Sequence, residues 1–365
     1  MSQSSPSLEP FVLLADPARY VACAGNLTTD TEAREHWVAF FKRHLEIILN
    51  LGVATAVARG EAGDSARKRA DSCRAEFVPW FDAFGDDPAG QGRHGVNRVT
   101  ILVLDQWRDA FLRRHGFVDA FVDLKNRENA AALPLLPTVC AQIDATPDQA
   151  EQLRAVVEGV FAGNIFDMGA EATAKAYLNS GPDFFATRQT LAPRPWRIDD
   201  FDALAQRMLT GPRHRKVVFF IDNAGSDFLL GAIPMMRWLA RRGAAVVLVA
   251  NERPTLNDMT IHDVNEWWPR ILAAEPSLAE LPIQRVSSGT GEPLIDLLRV
   301  SPELNSAAGD ADLVILEGMG RGVESNLDAR FRCDAINLAM IKDVIIAKRI
   351  GGKLYDVVCQ FRSSC

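Results

Sequence analysis

Apolar residues recur at helical spacing through the first half of the chain, and the pattern then changes. Between about residues 31 and 178, Trp37, Phe40, Phe41, Leu45, Ile48 and Leu49 mark one stripe, and Leu153, Val156, Val157, Val160 and Phe161 mark another. This i, i+3, i+4 recurrence predicts helices with one buried face. Polar, Gly-rich and Pro-rich stretches, "GDDPAGQGRHG" and "LPLLPT", interrupt the stripes and are expected as loops. After "LAPRPW", short β-branched runs alternate with helical segments: "KVVFFI", "AAVVLVA", "LPIQRV", "ADLVILE" and "KLYDVVCQF". Their near-continuous apolar character fits parallel strands covered on both faces. "DFLLGAIPMMRWLARRG" supplies a helix-length crossover that ends favourably on Arg241, Arg242 and Gly243.

The order of elements predicts an α/β protein. A three-layer α/β/α domain with a mainly parallel sheet is expected over residues 196–365, a mainly helical domain over 28–195, and a flexible segment over 1–27. Composition narrows the class. With 365 residues, 48% hydrophobic and 24% charged, the chain can build a sizeable core. A formal charge of -7 argues against a nucleic-acid partner, because phosphate neutralisation needs surplus Lys and Arg. The six cysteines show no metal-ligand or disulfide-framework spacing, which fits a reducing, cytoplasmic setting. No apolar run approaches a membrane span, and "MSQSSPS" lacks the features of a signal peptide. A membrane partner is therefore not expected, and the oligomeric state is left open.

Ligands of open parallel sheets bind outside the carboxyl ends of the strands, and three of the apolar runs end on polar residues. The first delivers Asp222 and Asn223. The second delivers Asn251, then Asn257 and Asp258. The fourth delivers Glu317, followed by Gly318, Met319, Gly320 and Arg321. Two carboxylates and an amide oxygen at neighbouring strand ends form a hard oxygen set suited to Mg²⁺ or Mn²⁺. An ion of that kind can polarise a phosphoryl oxygen. Capping of the helices that follow is the structural alternative for Asp222 and Asp258. Gly225 and Ser226 stand at an expected helix start, where free amides favour a phosphate, although a tight turn would use Gly equally well. Arg321 offers a planar donor to phosphate or carboxylate oxygens. The glycines around it form neither a P-loop nor a full dinucleotide-binding spacing.

In the helical half, "DLKNRENAA" gathers Lys125, Arg127, Glu128 and Asn129, and "FAGNIFDMGA" sets Asn164 and Asp167 among apolar residues. Buried polar groups need partners, and loop or helix-end hydrogen bonds would account for each of these alone. His262 beside Asp263 reads as a surface helix pair, with a catalytic base as the alternative.

Several stretches together resemble a known family: "FIDNAGSDFLLGAIPMMRWLARRG", "ANERPTLNDMT", "ADLVILEGMGRGVESN" and "RCDAINLAMIKDVIIAKRIGGKLYDVV", joined by "KNREN", "FAGNIFDMGA" and "RPWRIDD". The chain is similar, from about residue 28 onward, to the metal-dependent damage-control phosphatases, once catalogued as a domain of unknown function. Its "EGMGR" motif resembles that of the subfamily found as the phosphatase domain of pantothenate kinase 4-like proteins. The resemblance implies a divalent metal (Mn, Co, Ni or Mg) held by Asp222, Asn223 and Asp258. It implies hydrolysis of 4'-phosphopantetheine or its oxidised, damaged derivatives, which limits their entry into coenzyme A. Asp222, Asp258 and Arg321 would be catalytic. Lys125, Glu128, Asn129, Asn164, Gly225, Ser226, Asn251, Glu317, Gly318, Met319 and Gly320 would bind a small phosphorylated metabolite. Glu252, Arg253, Glu324 and Leu327 depart from the family pattern and bear on substrate preference. Direct water attack and a phosphoaspartate at Asp222 are both compatible with this set. The rival readings are a sugar-phosphate phosphatase, an S-adenosylmethionine-dependent carboxyl methyltransferase and a non-catalytic metabolite sensor.

Overall fold

The computed structural model describes residues 7–90, 98–164 and 184–364. Asp167 and part of the "GDDPAGQGRHG" stretch lie outside the described residues. Seven strands form one sheet: β1 (Ile198–Asp199), β2 (Lys216–Phe220), β3 (Ala245–Ala250), β4 (Ile283–Ser287), β5 (Leu313–Glu317), β6 (Asp334–Met340) and β7 (Val357–Arg362). The order is β1-β7-β6-β5-β2-β3-β4. All neighbours are parallel except β6 and β7, so the expected mainly parallel sheet is borne out.

Alternation along each strand explains the apolar runs. Val217 and Phe219 of β2, Val246 and Leu248 of β3, and Leu313 and Ile315 of β5 face one apolar core. Val218, Phe220, Val247, Val249, Val314 and Leu316, between them, face another. With both faces covered there is no polar side to interrupt the pattern. β6 is not among the five expected runs, because Asp334, Asn337 and two alanines dilute it, yet all seven of its residues are buried.

Among the described residues the helices are α1 (Thr31–Ala58), α2 (Gly63–Asp86), α3 (Ile101–Arg114), α4 (Val122–Ala132), α5 (Leu136–Ala145), α6 (Gln149–Asn164), α7 (Phe184–Gln189), α8 (Phe201–Thr210), α9 (Ile233–Arg241), α10 (Ile261–Ala274), α11 (Pro302–Ala308) and α12 (Val344–Arg349). Both expected stripes are buried, on α1 and α6. The apolar faces of α5, α6, α8, α9 and α10 cover one side of the sheet. On the other side, α1, α2 and α3 pack with Met319, Ala339 and Val358, and α11 packs with Phe11, Leu13 and Leu14. All three of these apolar cores thus draw residues from both sides of the 195/196 boundary.

Two expectations are corrected. "LPLLPT" is not a loop: a 3₁₀ turn (Leu133–Leu135) runs directly into α5, and its prolines occupy first-turn positions that need no amide donor. Nor is the segment 1–27 flexible where it is described. Glu9 pairs with Val300 and Leu14 with Phe331 as antiparallel bridges, and Phe11 packs edge-on against Phe220, with ring centroids 5.7 Å apart. A buried aromatic anchor is what the polar opening of this segment concealed.

β2 lies between β5 and β3, so chain connections leave it in two directions. The crevice at its carboxyl end is the topological switch point of the sheet. Short π-helical segments follow β2 (Asp227–Ala232) and β5 (Met319–Ser325). They widen the turns flanking that crevice, a placement common beside functional sites.

Candidate active site

The crevice gathers the polar strand ends. Asp222 follows β2, and its backbone amide donates to Glu317 Oε2 at the end of β5, 2.9 Å away. The Asp222 carbonyl accepts from Met259 N, 3.0 Å, while Asn223 and Asp258 form an antiparallel bridge. These backbone contacts tie the loop after β3 to the loop after β2. Gly318 sits at φ +98, and a Cβ there would collide with the Asp222 carboxylate. Only glycine lets β5 hand over to Met319 and Arg321 so close to Asp222.

Arg321 occupies the centre. Its Nη1 donates to Asp222 Oδ1 and to Pro293 O. Its Nη2 donates to Asp258 Oδ2 at 2.7 Å and Asn251 Oδ1 at 3.2 Å. Asn251 Nδ2 in turn donates to Asp258 Oδ2, 3.1 Å. Burial works against the guanidinium charge, but Asp258 and Asp222 hold its pKa above the ordinary value. The expected ligands Asp222, Asn223 and Asp258 are thus brought together with Arg321 between the two carboxylates.

Behind them lies an acidic residue that the sequence reading passed over. Asp227, fully buried, accepts at Oδ2 from Asn164 Nδ2 (3.0 Å), Asn223 Nδ2 (3.0 Å) and Asn223 N (3.2 Å). Carboxylate oxygens of Asp222, Asp227 and Glu317 all lie within 4.8 Å of one another. Burial pushes the carboxyl groups of Asp222 and Glu317 well upward, opposed by Arg321 and reinforced by the neighbouring acids. Among the described residues, no donor reaches Asp227 Oδ1 or Glu317 Oε1. Buried oxygens of that kind call for a proton or a cation.

Other expected site residues support the cleft more than they face it. Asn164 Nδ2 donates to Asp222 Oδ2 at 3.3 Å, and its carbonyl accepts from Lys342 Nζ at 2.8 Å. Lys342 is a second buried cation that the sequence reading missed. The Gly225 amide donates to Asn129 Oδ1 (2.7 Å), so it is not the phosphate donor expected there, and Ser226 is buried beside it. A Cβ on Gly225, at φ +74, would lie 2.9 Å from Glu128 Cβ, so Glu128 packs beneath that turn. Lys125 turns away from the cleft to Asp263 (2.6 Å) and Asp119 (3.0 Å). Asp263 completes a capping box with Thr260 at the start of α10, while His262 and Arg127 are exposed, in keeping with the surface reading of His262.

The cleft is small, about 60 Å³, and is lined by Asp222, Asn223, Asp258, Met319, Gly320 and Glu324, with Trp37, Phe40, Asp105 and Arg108 from the helices opposite. Arg108 pairs with Asp105 (2.6 Å) and Asp109 (2.8 Å) and donates to Thr255 Oγ1 (2.8 Å) in the loop that carries Asp258. The i, i+3, i+4 polar spacing in "LDQWRDA" could have flagged this cluster. Burial pushes the Asp105 carboxyl up to about 7 against the pull of Arg108. Among the departures from the family pattern, Glu252 and Arg253 are exposed, Leu327 is half-buried, and only Glu324 reaches the cleft.

The family described as damage-control phosphatase ARMT1-like domain matches residues 90–358. This chain belongs to that family. The resemblance read from the sequence is borne out. An Arabidopsis thaliana protein named damage-control phosphatase At2g17340 is 42% identical over 81% of this chain and 80% of its own length. The mouse 4'-phosphopantetheine phosphatase is 30% identical over 96% of this chain and 48% of its own. Pantothenate kinase 2 of Arabidopsis is 36% identical over 98% of this chain, which spans only 42% of that relative. A crystal structure of a DUF89 family protein from Pyrococcus horikoshii shares the fold, with a TM-score of 0.58 at 18% identity, over 87% of this chain and 97% of that one. The damage-control phosphatase family is metal-dependent, in keeping with the acidic cluster at the switch point.

Proposed function

We propose that the chain is a metal-dependent phosphomonoester hydrolase acting on 4'-phosphopantetheine or its oxidised derivatives, with release of inorganic phosphate. The observation that carries this reading is the convergence of Asp222, Asn223, Asp258 and Arg321 from three strand ends onto one cleft. The donor set fits a divalent ion: it is all oxygen, buried, and backed by two carboxylate oxygens that no donor among the described residues reaches. Asp222, Asn223 and Asp258 would hold the ion, with Asp227 and Glu317 behind them. Such an ion supplies Lewis-acid polarisation of the phosphoryl group.

The chain's own residues do the rest. Arg321, held charged, offsets negative charge on the phosphoryl oxygens, as pre-aimed donors do in phosphoryl transfer. Lys342, buried beside Asn164, adds a second cation on the side facing Asp222. Asn164 and Asn223 fix the Asp222 carboxylate by donating to its Oδ2. That carboxylate is placed to orient an attacking water or to act as the nucleophile itself. Rapid acid quench separates the two routes, since a trapped acyl phosphate excludes direct water attack.

The test is phosphate release from phosphopantetheine derivatives and sugar phosphates with Mn²⁺, Co²⁺, Ni²⁺ or Mg²⁺. Turnover that depends on metal and disappears in Asp222→Ala supports the reading. A wild-type protein that binds these esters without turnover would make the chain a sensor instead.

A further inference from the structure

A second pocket lies beside the turn that follows Arg321. It holds about 410 Å³, between residues 15–24, residues 325–330 and Arg349 at the end of α12. Among the described residues, none lines both this pocket and the catalytic cleft. Its volume falls in the range of small-molecule sites.

Charge selects the occupant. Arg19 is balanced by Asp16, 3.5 Å away. Arg349 and Arg362 both lean on Asp328, each at 3.9 Å, and among the described residues no carboxylate pairs with Arg330. Three guanidinium groups thus share one carboxylate, which leaves a surplus of two positive charges. Burial and the charge of Arg330 push the Arg362 guanidinium below its ordinary value, the mark of like charges held close. Guanidinium forks match the oxygens of a phosphoryl or carboxylate group. Tyr20, Val21 and Leu327 add apolar wall, and Val21 is exposed. A bare oxyanion would leave that wall uncovered, whereas an apolar body attached to the anion would cover it.

The pocket also touches the supports of Arg321. Ser325, in its wall, donates from Oγ to the carbonyls of Gly320 (2.6 Å) and Arg321 (3.2 Å). Tyr20, in the opposite wall, donates from its hydroxyl to Asn326 Oδ1 (2.7 Å), and Asn326 Nδ2 donates to the Arg321 carbonyl (2.9 Å). These bonds are complete without a ligand, so an occupant that displaces Tyr20 loosens the turn that aims Arg321.

We propose that this pocket is a regulatory site for a small organic dianion with an apolar body, whose occupancy reaches Arg321 through Tyr20 and Asn326. Binding is independent of the phosphatase reading above; the effect on turnover rests on it. Tyr20 is a positioning residue in this scheme.

The test uses phenylphosphonate and phthalate, two aromatic dianions that separate a phosphoryl from a carboxylate head, with benzamide as the uncharged control. Calorimetry on the full chain with metal chelated should show binding of at least one dianion and none of benzamide. Arg330→Gln and Arg349→Gln should each weaken that binding about tenfold. With Mn²⁺ and glycerol phosphate, the bound dianion should lower wild-type kcat about threefold, and Arg330→Gln should remove this response. Tyr20→Phe should keep the binding, lower kcat by itself with KM little changed, and show no further fall with the dianion. Failure of both dianions to bind, or binding unchanged in both arginine variants, overturns the site. Binding with unaltered kcat overturns the link to Arg321. Variant-sensitive binding to a wild type that releases no phosphate leaves the anion site standing and removes the phosphatase reading.

Discussion

Arg321 joins Asp222 to Asp258: one guanidinium nitrogen reaches each carboxylate, and all three side chains are buried. The loops after β2 and β3 therefore meet through a side chain contributed by a third loop, after β5. Lysine cannot reproduce a planar two-nitrogen bridge. Arg321→Lys should fold but lose about 10²–10³ in kcat, measured by phosphate release. Arg321→Ala leaves two buried carboxylates facing each other and should cost about 3–5 kcal/mol in urea melts. Equal activity in Arg321→Lys and the wild type would remove Arg321 from the reacting centre.

Gly318 combines a positive φ with a forbidden Cβ position against Asp222. Gly318→Ala should destabilise the chain by about 1–3 kcal/mol and also depress kcat, because Asp222 must shift to relieve the clash. A stability loss with normal kcat would show that the carboxylate position is not critical.

Asp227 is fully buried behind Asp222 and accepts from both Asn164 and Asn223. Asp227→Asn should weaken apparent Mn²⁺ affinity about 10–100-fold, the usual effect of removing a group that orients ligands. The readout is the Mn²⁺ dependence of Tm. An unchanged titration would take Asp227 out of the cation site.

Asp105 titrates high, near 7, inside the fold. A carboxyl whose folded pKa exceeds its unfolded value favours the fold fully only below the unfolded pKa, near 4, and loses that contribution as pH rises through about 7. The difference in unfolding free energy between wild type and Asp105→Asn should therefore shrink steadily from pH 4 to pH 7 and then level. A difference independent of pH over that window would show that Asp105 is ionised throughout.

The sequence made the strand ends legible because parallel strands buried on both faces leave no other place for polar residues. Asp222, Asn223, Asn251, Asp258, Glu317 and Arg321 were all visible on that ground. Asp227 was not, because "GSD" reads equally well as a helix start, and only the contacts with Asn164 and Glu317 from distant elements expose it. Lys125 misled in the opposite sense. The family resemblance implies a substrate-binding role for it, but Asp119 and Asp263 claim the ammonium, and no local pattern encodes a partner on another helix. β6 was hidden by its own alanines, although it places Met340, whose amide donates to Asn164 Oδ1.

The anchoring of Glu9 to Val300 and Leu14 to Phe331 bears on how the molecule is made. The partners of this early segment emerge from the ribosome on the order of three hundred residues later, so its docking must await them. Until then the segment lacks its two backbone bridges and its apolar residues are prone to sticking. Shortening or mutating Phe11 should therefore show first as lost yield in cells rather than as altered turnover.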